Sequence, residues 1–251
     1  MKKTLIFILF SIIAGVAYTQ PAVQAIDIIR KADERARGKT SEAVIKMTVI
    51  RPTWQREMTM KSWSLGNDFA LILVTGPVRD KGVAFLKREH EMWNWQPNID
   101  RTIKLPPSMM LQSWMGSDFT NDDLVRESSI VQDYTHRITG SESIDGRDCY
   151  VIELTPKTDA AVVWGKVITW IDKKDYIQMK VTFYDEDGEL AQTMYGKDIK
   201  NLGGKMLPST MEVHPADKPG QRTVITYESL VFDKPIQPSF FSLQNLKQVR
   251  P

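Results

Sequence analysis

The stretch that decides the fold is residues 105–124, LPPSMMLQSWMGSDFTNDDL, because it places helix signals inside a long series of strand patterns. Pro106 and Pro107 end the preceding strand and preset the first turn of a helix. Large apolar residues then follow at i, i+1, i+4 and i+5, the spacing of one helix face: Met110, Leu111, Trp114 and Met115. A helix this short forms only against an apolar surface. We therefore predict a movable flap over an apolar concavity, with an ordinary core helix as the alternative.

We call residues 105–124 the flap segment. Its second half contains signals for the end of one helix and the start of another. Gly116 predicts the end of the first helix. Thr120 followed by Asp123 is the pattern of a helix cap, in which each residue bonds to the backbone of the other. A second short helix is predicted to begin there.

The first residues have the form of a secretory signal peptide. Lys2 and Lys3 give a positive start, and the apolar run of residues 5–17 is too short to span a bilayer. Small residues end the run, which predicts cleavage after about residue 17 or 19. Because no cysteine lies near the cut, a lipid anchor is not expected. We predict a signal peptide at 1–19 and a single exported, soluble domain at 20–251.

Composition limits the classes of function. The formal net charge is +2, and removal of Lys2 and Lys3 leaves a nearly neutral chain without basic blocks, so nucleic acid is not an expected partner. The single cysteine, Cys149, cannot form an internal disulfide and is predicted to be a buried thiol. The chain contains 12 methionines and 7 tryptophans, and methionine adapts to irregular apolar space.

The rest of the chain predicts one leading helix and many strands. Residues 22–37 have the period of an amphipathic helix, with Val23, Ile26 and Ile29 inward. Alternating patterns then continue almost to the end, and the segment 69–75 is apolar on both faces, as in a strand covered on both sides. About eleven strands in succession predict an antiparallel meander that curls around the helix and the flap. In the segment 176–184 we predict one inward face formed by Ile177, Met179, Val181 and Phe183.

No catalytic or metal motif is present in the sequence. The three histidines, His90, His136 and His214, lie far apart and have no metal-ligand spacing. Phosphate-binding glycine loops and nucleophile elbows are absent as well. We therefore predict that the protein is not an enzyme and has neither a cofactor nor a metal.

Large apolar side chains are the candidate binding residues, because a half-covered apolar surface in an exported protein usually has a ligand. For any single one of them, a place in an ordinary core is the competing interpretation. The sequence leaves open which strand faces line the cavity. The candidates for the cavity and flap are Trp54, Met58, Met60, Leu71, Leu73, Phe85, Trp93, Trp95, Met110, Leu111, Trp114, Met115, Trp164 and Trp170.

Several of these stretches carry a family resemblance. Residues 80–87 (DKGVAFLK), the flap segment, residues 163–167 (VWGKV) and residues 235–241 (PIQPSFF) are similar to the outer-membrane lipoprotein-sorting, LolA-like proteins. The resemblance implies a mainly β fold with some α, namely a single curved antiparallel sheet forming a half-closed barrel around a few helices. It also implies a hydrophobic cavity for acyl chains and a location in the periplasm.

The function implied by the resemblance is that of a carrier. The expected cargo is an acylated lipoprotein or lipid moved towards the outer membrane, with an inner-membrane transporter and an outer-membrane acceptor as partners, and the carrier is expected to be a monomer. The alternative is a lipid-sensing or accessory subunit of an inner-membrane lipid exporter that has no transfer activity of its own. A lipid hydrolase is a third possibility, which no nucleophile–base pair supports.

Overall fold

The protein is built on one long antiparallel sheet. The computed structural model describes residues 24–110, 112–121, 123, 130–160 and 162–250; the predicted signal peptide and Leu111 lie outside these ranges. The sheet has 13 strands in the order β6-β5-β4-β3-β2-β1-β13-β12-β11-β10-β9-β8-β7. The predicted fold class, a single curved antiparallel sheet with a few helices, is confirmed. The sheet has two strands more than the eleven or so predicted.

The elements follow the chain in a simple order. The α-helices with both ends inside the described ranges are α1 (Ala25–Arg37) and α2 (Leu243–Gln248). The strands are β1 (Thr40–Arg51), β2 (Trp54–Leu65), β3 (Phe69–Gly76), β4 (Ala84–Arg88), β5 (Glu91–Gln96), β6 (Arg101–Lys104), β7 (Tyr134–Ile144), β8 (Arg147–Pro156), β9 (Lys166–Asp172), β10 (Gln178–Tyr184), β11 (Leu190–Leu202), β12 (Lys205–Pro215) and β13 (Arg222–Phe232).

The position of the flap segment follows from the topology. Strands β1–β6 and β7–β13 form two meanders that join where β1 pairs with β13. The two edge strands of the open sheet, β6 and β7, are therefore consecutive in sequence. The chain between them must return across the sheet, and the flap segment is the beginning of that connection.

Strand register separates two faces of the sheet. Paired residues in an antiparallel sheet point to the same side, so the pairs Met47–Met58 and Met60–Val74 share a face with Ile72–Phe85. We call this the inner face, because both the flap segment and α1 pack against it. Two separate elements thus cover the inner face of this long sheet, and the flap segment is the one that lies over β1–β5.

Helix α1 covers the other part of the inner face. Ala25, Ile28 and Ile29 are buried, which is the i, i+3, i+4 spacing of one helix face. They pack against β7–β10 residues such as Ile152 and Leu154. The inward position predicted for Ile26 is wrong, since its side chain is 38% exposed; Val23 lies outside the described residues.

The C-terminal segment covers the outer face of β2–β5. Phe241 and Leu246 are buried there against Leu71, Leu73 and neighbouring residues. Ser242 begins α2, and its Oγ accepts a hydrogen bond from the backbone N of Asn245 at 3.2 Å. The prediction that β3 is covered on both faces is therefore confirmed.

One predicted strand face is wrong because of a β-bulge. The register of β10 against β9 shifts between Gln178 and Lys180, and such a shift moves side chains to the opposite face. Met179 consequently packs with Cys149 on the outer face, whereas Val181 packs on the inner face with α1. Within the ranges that the structure describes, no helix is long and apolar enough to cross a bilayer.

Candidate functional site

The first part of the flap segment, residues 105–110 and 112–120, is a compact loop and not the predicted first helix. In its first part, helical structure among the described residues is limited to two 3-10 turns, Pro107–Met109 and Trp114–Gly116, whereas Asn121 and Asp123 are α-helical. Met115 and Gly116 have φ values of 49° and 73°, the left-handed region, which an α-helix cannot continue through. The chain reverses there, and Ser113 and Thr120 face each other in an isolated antiparallel bridge.

The predicted cap at Thr120 is confirmed. The backbone N of Thr120 donates to Asp123 Oδ2 at 2.7 Å, and the backbone N of Asp123 donates to Thr120 Oγ1 at 3.1 Å. These reciprocal bonds are those of a capping box. Asn121 and Asp123, at the predicted start of the second helix, are α-helical, and residues 124–129 lie outside the described ranges.

Three apolar side chains of the flap segment seat it on the inner face. Met110, Trp114 and Phe119 are buried in the cluster formed by β1–β5 and β12. The Trp114 and Phe85 rings meet edge to face, with centroids 5.4 Å apart. Trp114 Nε1 is buried without a hydrogen-bond partner. Burial of an unpaired N–H costs free energy, so the Trp114 side chain is held by its apolar contacts, while its backbone N donates to the Phe119 carbonyl at 2.7 Å.

A polar anchor fixes the tip of the flap segment to β1 and β13. Arg51 Nη1 lies 3.0 Å from Asp118 Oδ2, and Arg51 Nη2 donates to the Gly116 carbonyl at 3.1 Å. Asp118 Oδ2 also accepts from Thr223 Oγ1 at 2.7 Å, and Asp118 N donates back to Thr223 Oγ1 at 2.9 Å. The Arg51 and Asp118 side chains are 13% and 6% exposed, so this ion pair is largely removed from water.

A second arginine reinforces the same contact. Arg56 Nη2 donates to the Met115 carbonyl, and Arg56 Nε is buried without a partner. Burial, together with the positive charge of Arg79, lowers the pKa of the Arg56 guanidinium below its ordinary value. Both arginines thus connect the sheet to backbone carbonyls near the tip of the flap segment.

Six of the predicted site residues come together beneath or within the flap. They are buried in the apolar cluster between the flap segment and the inner face or, in the case of Met115, pack against it. The six residues are Met58, Met60, Phe85, Met110, Trp114 and Met115. Sequence analysis missed several of their neighbours, namely Met47, Val74, Met92 and Phe119, and also the anchors Arg51 and Arg56. Strand alternation from Phe85 could have found Met92, because the two share a face through β4–β5 pairing.

The other predicted site residues lie elsewhere, because the sequence did not distinguish the two faces. Leu71, Leu73, Trp93 and Trp95 belong to the outer cluster under the C-terminal segment. Trp164 and Trp170 do not share a face: Trp164 packs with the α1 cluster, whereas Trp170 lies on the outer face beside Cys149. Trp54 is 50% exposed at the β1–β2 turn. Leu111 lies outside the described residues.

The inner apolar surface is closed in this conformation. Met58, Met60 and Trp114 are each at most 3% exposed because the flap segment fills the space above the sheet. A cavity of about 660 Å³ lies on the outer face instead, bordered by residues that include Met179, Tyr195 and His214. Where the sequence predicts a hydrophobic cavity, the described residues form a packed apolar interface between the flap segment and the sheet.

The described residues show no group of three or more metal-ligating side chains. Cys149 is a buried thiol whose pKa burial raises, as expected for a structural cysteine. His136 Nε2 bonds to the Ile130 carbonyl at 2.8 Å, and His214 Nε2 lies 3.0 Å from Glu212 Oε2. These contacts give the two imidazoles structural partners.

Comparison with known proteins places this architecture in a family. A family model described as uncharacterized proteins matches residues 66–248. The chain belongs to this DUF1329-like family. A crystal structure of a DUF1329 family protein from Desulfovibrio piger superposes with a TM-score of 0.81 at 22% identity, covering 88% of this chain and 97% of that one. No curated protein matches the sequence.

Two further solved structures share this fold. A LolA superfamily protein from Nitrosomonas europaea has a TM-score of 0.76 at 26% identity, covering 89% of this chain and 100% of that chain. A domain from Vibrio parahaemolyticus, named for outer membrane lipoprotein sorting, has a TM-score of 0.79 at 26% identity, covering 89% and 98%. This DUF1329-like chain therefore has the LolA-like fold that its sequence resembles.

Proposed function

We propose that the protein is an exported carrier that binds the acyl chains of a lipoprotein or lipid on the inner face, beneath the flap segment. The observation that carries the proposal is a large apolar surface covered by a loop that is anchored at its tip by Arg51 and Arg56. The fold shared with proteins named for lipoprotein sorting supports the same cargo class.

The energetics favour exchange between the flap and the cargo. Hiding one common acyl chain from water is worth about 12 kcal/mol, at about 0.8 kcal/mol per methylene. A carrier that gained all of this could not release its cargo, so its site must resemble the bilayer in free energy. Met110, Trp114 and Phe119 already bury the inner face. When cargo displaces them, one apolar contact replaces another, and the net change stays small.

The chemistry of the inner face suits varied chains. Methionine side chains are flexible and fill irregular spaces. The closed cluster holds several of them against the flap segment, namely Met47, Met58, Met60 and Met92. Such a surface accepts acyl chains of different length and saturation by changing rotamers. No titratable pair in this cluster suggests catalysis, so the proposed role is transport from an inner-membrane transporter to an outer-membrane acceptor.

Native mass spectrometry of the exported protein, purified from its own compartment without detergent, tests the proposal. The wild type is expected to carry acylated species. Combined replacement Trp114→Asp and Met115→Asp should abolish them, because charges beneath the flap make acyl contact costly. Leu243→Asp is the matched control, since Leu243 is 41% exposed on the opposite side of the sheet.

Two further measurements guard against a folding artefact and the sensor alternative. Arg51→Ala changes no apolar side chain and should speed lipid exchange by freeing the flap tip; it is compared with the wild type under conditions in which the circular dichroism spectra of the two proteins match. Unchanged lipid content in the double variant, with its circular dichroism spectrum retained, would contradict the site. Radiolabelled cargo offered to acceptor vesicles separates the two roles: a carrier discharges it, whereas a sensing subunit retains it.

A further inference from the structure

Exposed apolar side chains are concentrated at one end of the β1–β6 meander. In a meander, alternate turns lie at opposite ends, so the β1–β2, β3–β4 and β5–β6 turns share one end. Each carries one exposed large apolar residue: Trp54 at 50%, Val78 at 91% and Ile99 at 59% exposure. We call these three residues the apolar rim. Since strands lie about 4.8 Å apart, successive members are about 10 Å apart along the sheet end.

The other end of the same meander is an internal comparison. Its turns, β2–β3 and β4–β5, present the exposed polar residues Asp68, Glu89 and His90. Nothing in the strands requires this difference, because both sets of turns connect the same antiparallel pairs. An apolar side chain at a turn tip costs free energy in water and gains it only on contact with a partner.

Basic side chains surround the apolar rim. Arg79, Lys81 and Arg101 are exposed in or beside the turns that carry the apolar rim. Asp100 is exposed as well, whereas Asp80 is paired with Arg79 at 3.1 Å. Basic residues flanking exposed tryptophan and aliphatic side chains are the composition of surfaces that enter the headgroup region of anionic bilayers.

We infer that the apolar rim is a docking surface for an anionic lipid membrane. Single side chains on separate turns offer a protein partner no pocket or continuous core, which protein interfaces need. A bilayer needs no complementary shape and accepts each side chain separately. The inference deepens the proposed function by placing the membrane at the end where the flap opens.

The rim borders the anchored tip of the flap segment. The Arg51 guanidinium carbon lies 5.8 Å from the Trp54 ring centroid, and the same guanidinium holds Asp118 and the Gly116 carbonyl. Docking at the rim would therefore bring the bilayer against the side of the molecule at which cargo enters or leaves.

Sedimentation with vesicles tests the rim without reference to cargo. The exported wild type should sediment with vesicles of phosphatidylglycerol and phosphatidylethanolamine, and less with phosphatidylcholine alone. The double variant Val78→Ser and Ile99→Ser should reduce the bound fraction about tenfold. Met206→Ser is the control, because Met206 is 38% exposed at the other end of the sheet and should leave binding unchanged.

Fluorescence gives a second readout. Trp54 is the one exposed tryptophan among the described residues, so anionic vesicles should shift the emission to shorter wavelength, and Trp54→Phe should remove that shift. Wild-type protein that ignores anionic vesicles, or a double variant that sediments as the wild type does, would overturn the inference. Failure of the wild type to bind anionic vesicles would favour a protein partner for the apolar rim.

The two proposals can fail separately. If the wild type carries no acylated species but sediments through the rim, the rim stands and the carrier role falls. If cargo is present in the wild type and in the Val78→Ser, Ile99→Ser variant, and neither protein sediments with vesicles, the rim falls alone.

Discussion

Arg51 and Asp118 join the first strand to the tip of the flap segment across a 3.0 Å ion pair that is almost shielded from water. The two residues are 67 positions apart in sequence. Asp118 also receives the Thr223 hydroxyl, so one carboxylate connects β1, β13 and the flap. This contact sets the closed state in which the inner apolar surface is covered.

Arg51→Ala should lower the free energy of unfolding by about 3–5 kcal/mol, since it leaves the buried Asp118 carboxylate without its cation. The control is Lys46→Ala, which breaks the Lys46–Glu57 pair, with side chains 38% and 49% exposed. That change should cost at most about 1 kcal/mol. Urea unfolding of both variants measures the difference, and equal losses would show that the flap anchor is no stronger than a surface pair.

Trp114 contributes opposing terms to the free energy of folding: burial of its ring is favourable, whereas burial of its unpaired indole N–H is unfavourable. Trp114→Ala should cost about 3–5 kcal/mol through the cavity it leaves. Trp114→Phe should cost much less, because a ring still faces Phe85 and the unpaired donor is removed. Thermal unfolding of both variants distinguishes them; similar losses would mean that the indole N–H finds a partner in solution.

The sequence predicts the architecture well because strand alternation is a local signal. Phe69 to Thr75 shows apolar residues on both faces, and the structure covers both. The assignment of residues to the site was less successful. Leu71 and Phe85 look alike in sequence, yet register puts them on opposite faces. Register depends on pairing between strands, which one sequence does not reveal.

The flap shows a different limit of sequence analysis. The apolar spacing of Met110, Trp114 and Met115 fits a helix, but Met115 adopts a left-handed conformation. That conformation is held by tertiary contacts, because Arg56 bonds to the Met115 carbonyl. The local sequence pattern of the flap segment cannot predict this contact, because Arg56 lies in β2, far away along the chain. The cap at Thr120 and Asp123 was predictable, since both partners lie within four residues.

Acidification should weaken the fold through His136. Burial lowers the pKa of this imidazole below 6.5, although the Ile130 carbonyl bond opposes the shift. The unfolded chain therefore binds a proton at higher pH than the folded protein, and stability falls as the pH drops through 6.5 towards the folded pKa. His136→Gln should make the loss of melting temperature between about pH 7.5 and about pH 5.5 smaller. The exposed His90→Gln is the control, and an identical slope in all three proteins would contradict the assignment.

Gly165 tests a close approach between two segments of the second meander. A Cβ at this position would lie 2.3 Å from the Asp185 carbonyl oxygen, so the backbone of the β10–β11 turn would have to move. Gly165→Ala should therefore destabilise the protein by about 1–3 kcal/mol, as overpacking does. Gly140→Ala is the matched control, because nothing lies within 4 Å of its Cβ position, and the smaller entropy of the unfolded chain should leave it neutral or slightly stabilised. Chemical denaturation of the two variants gives the comparison. If Gly165→Ala is as stable as Gly140→Ala, the segment at 163–167 does not pack against that turn.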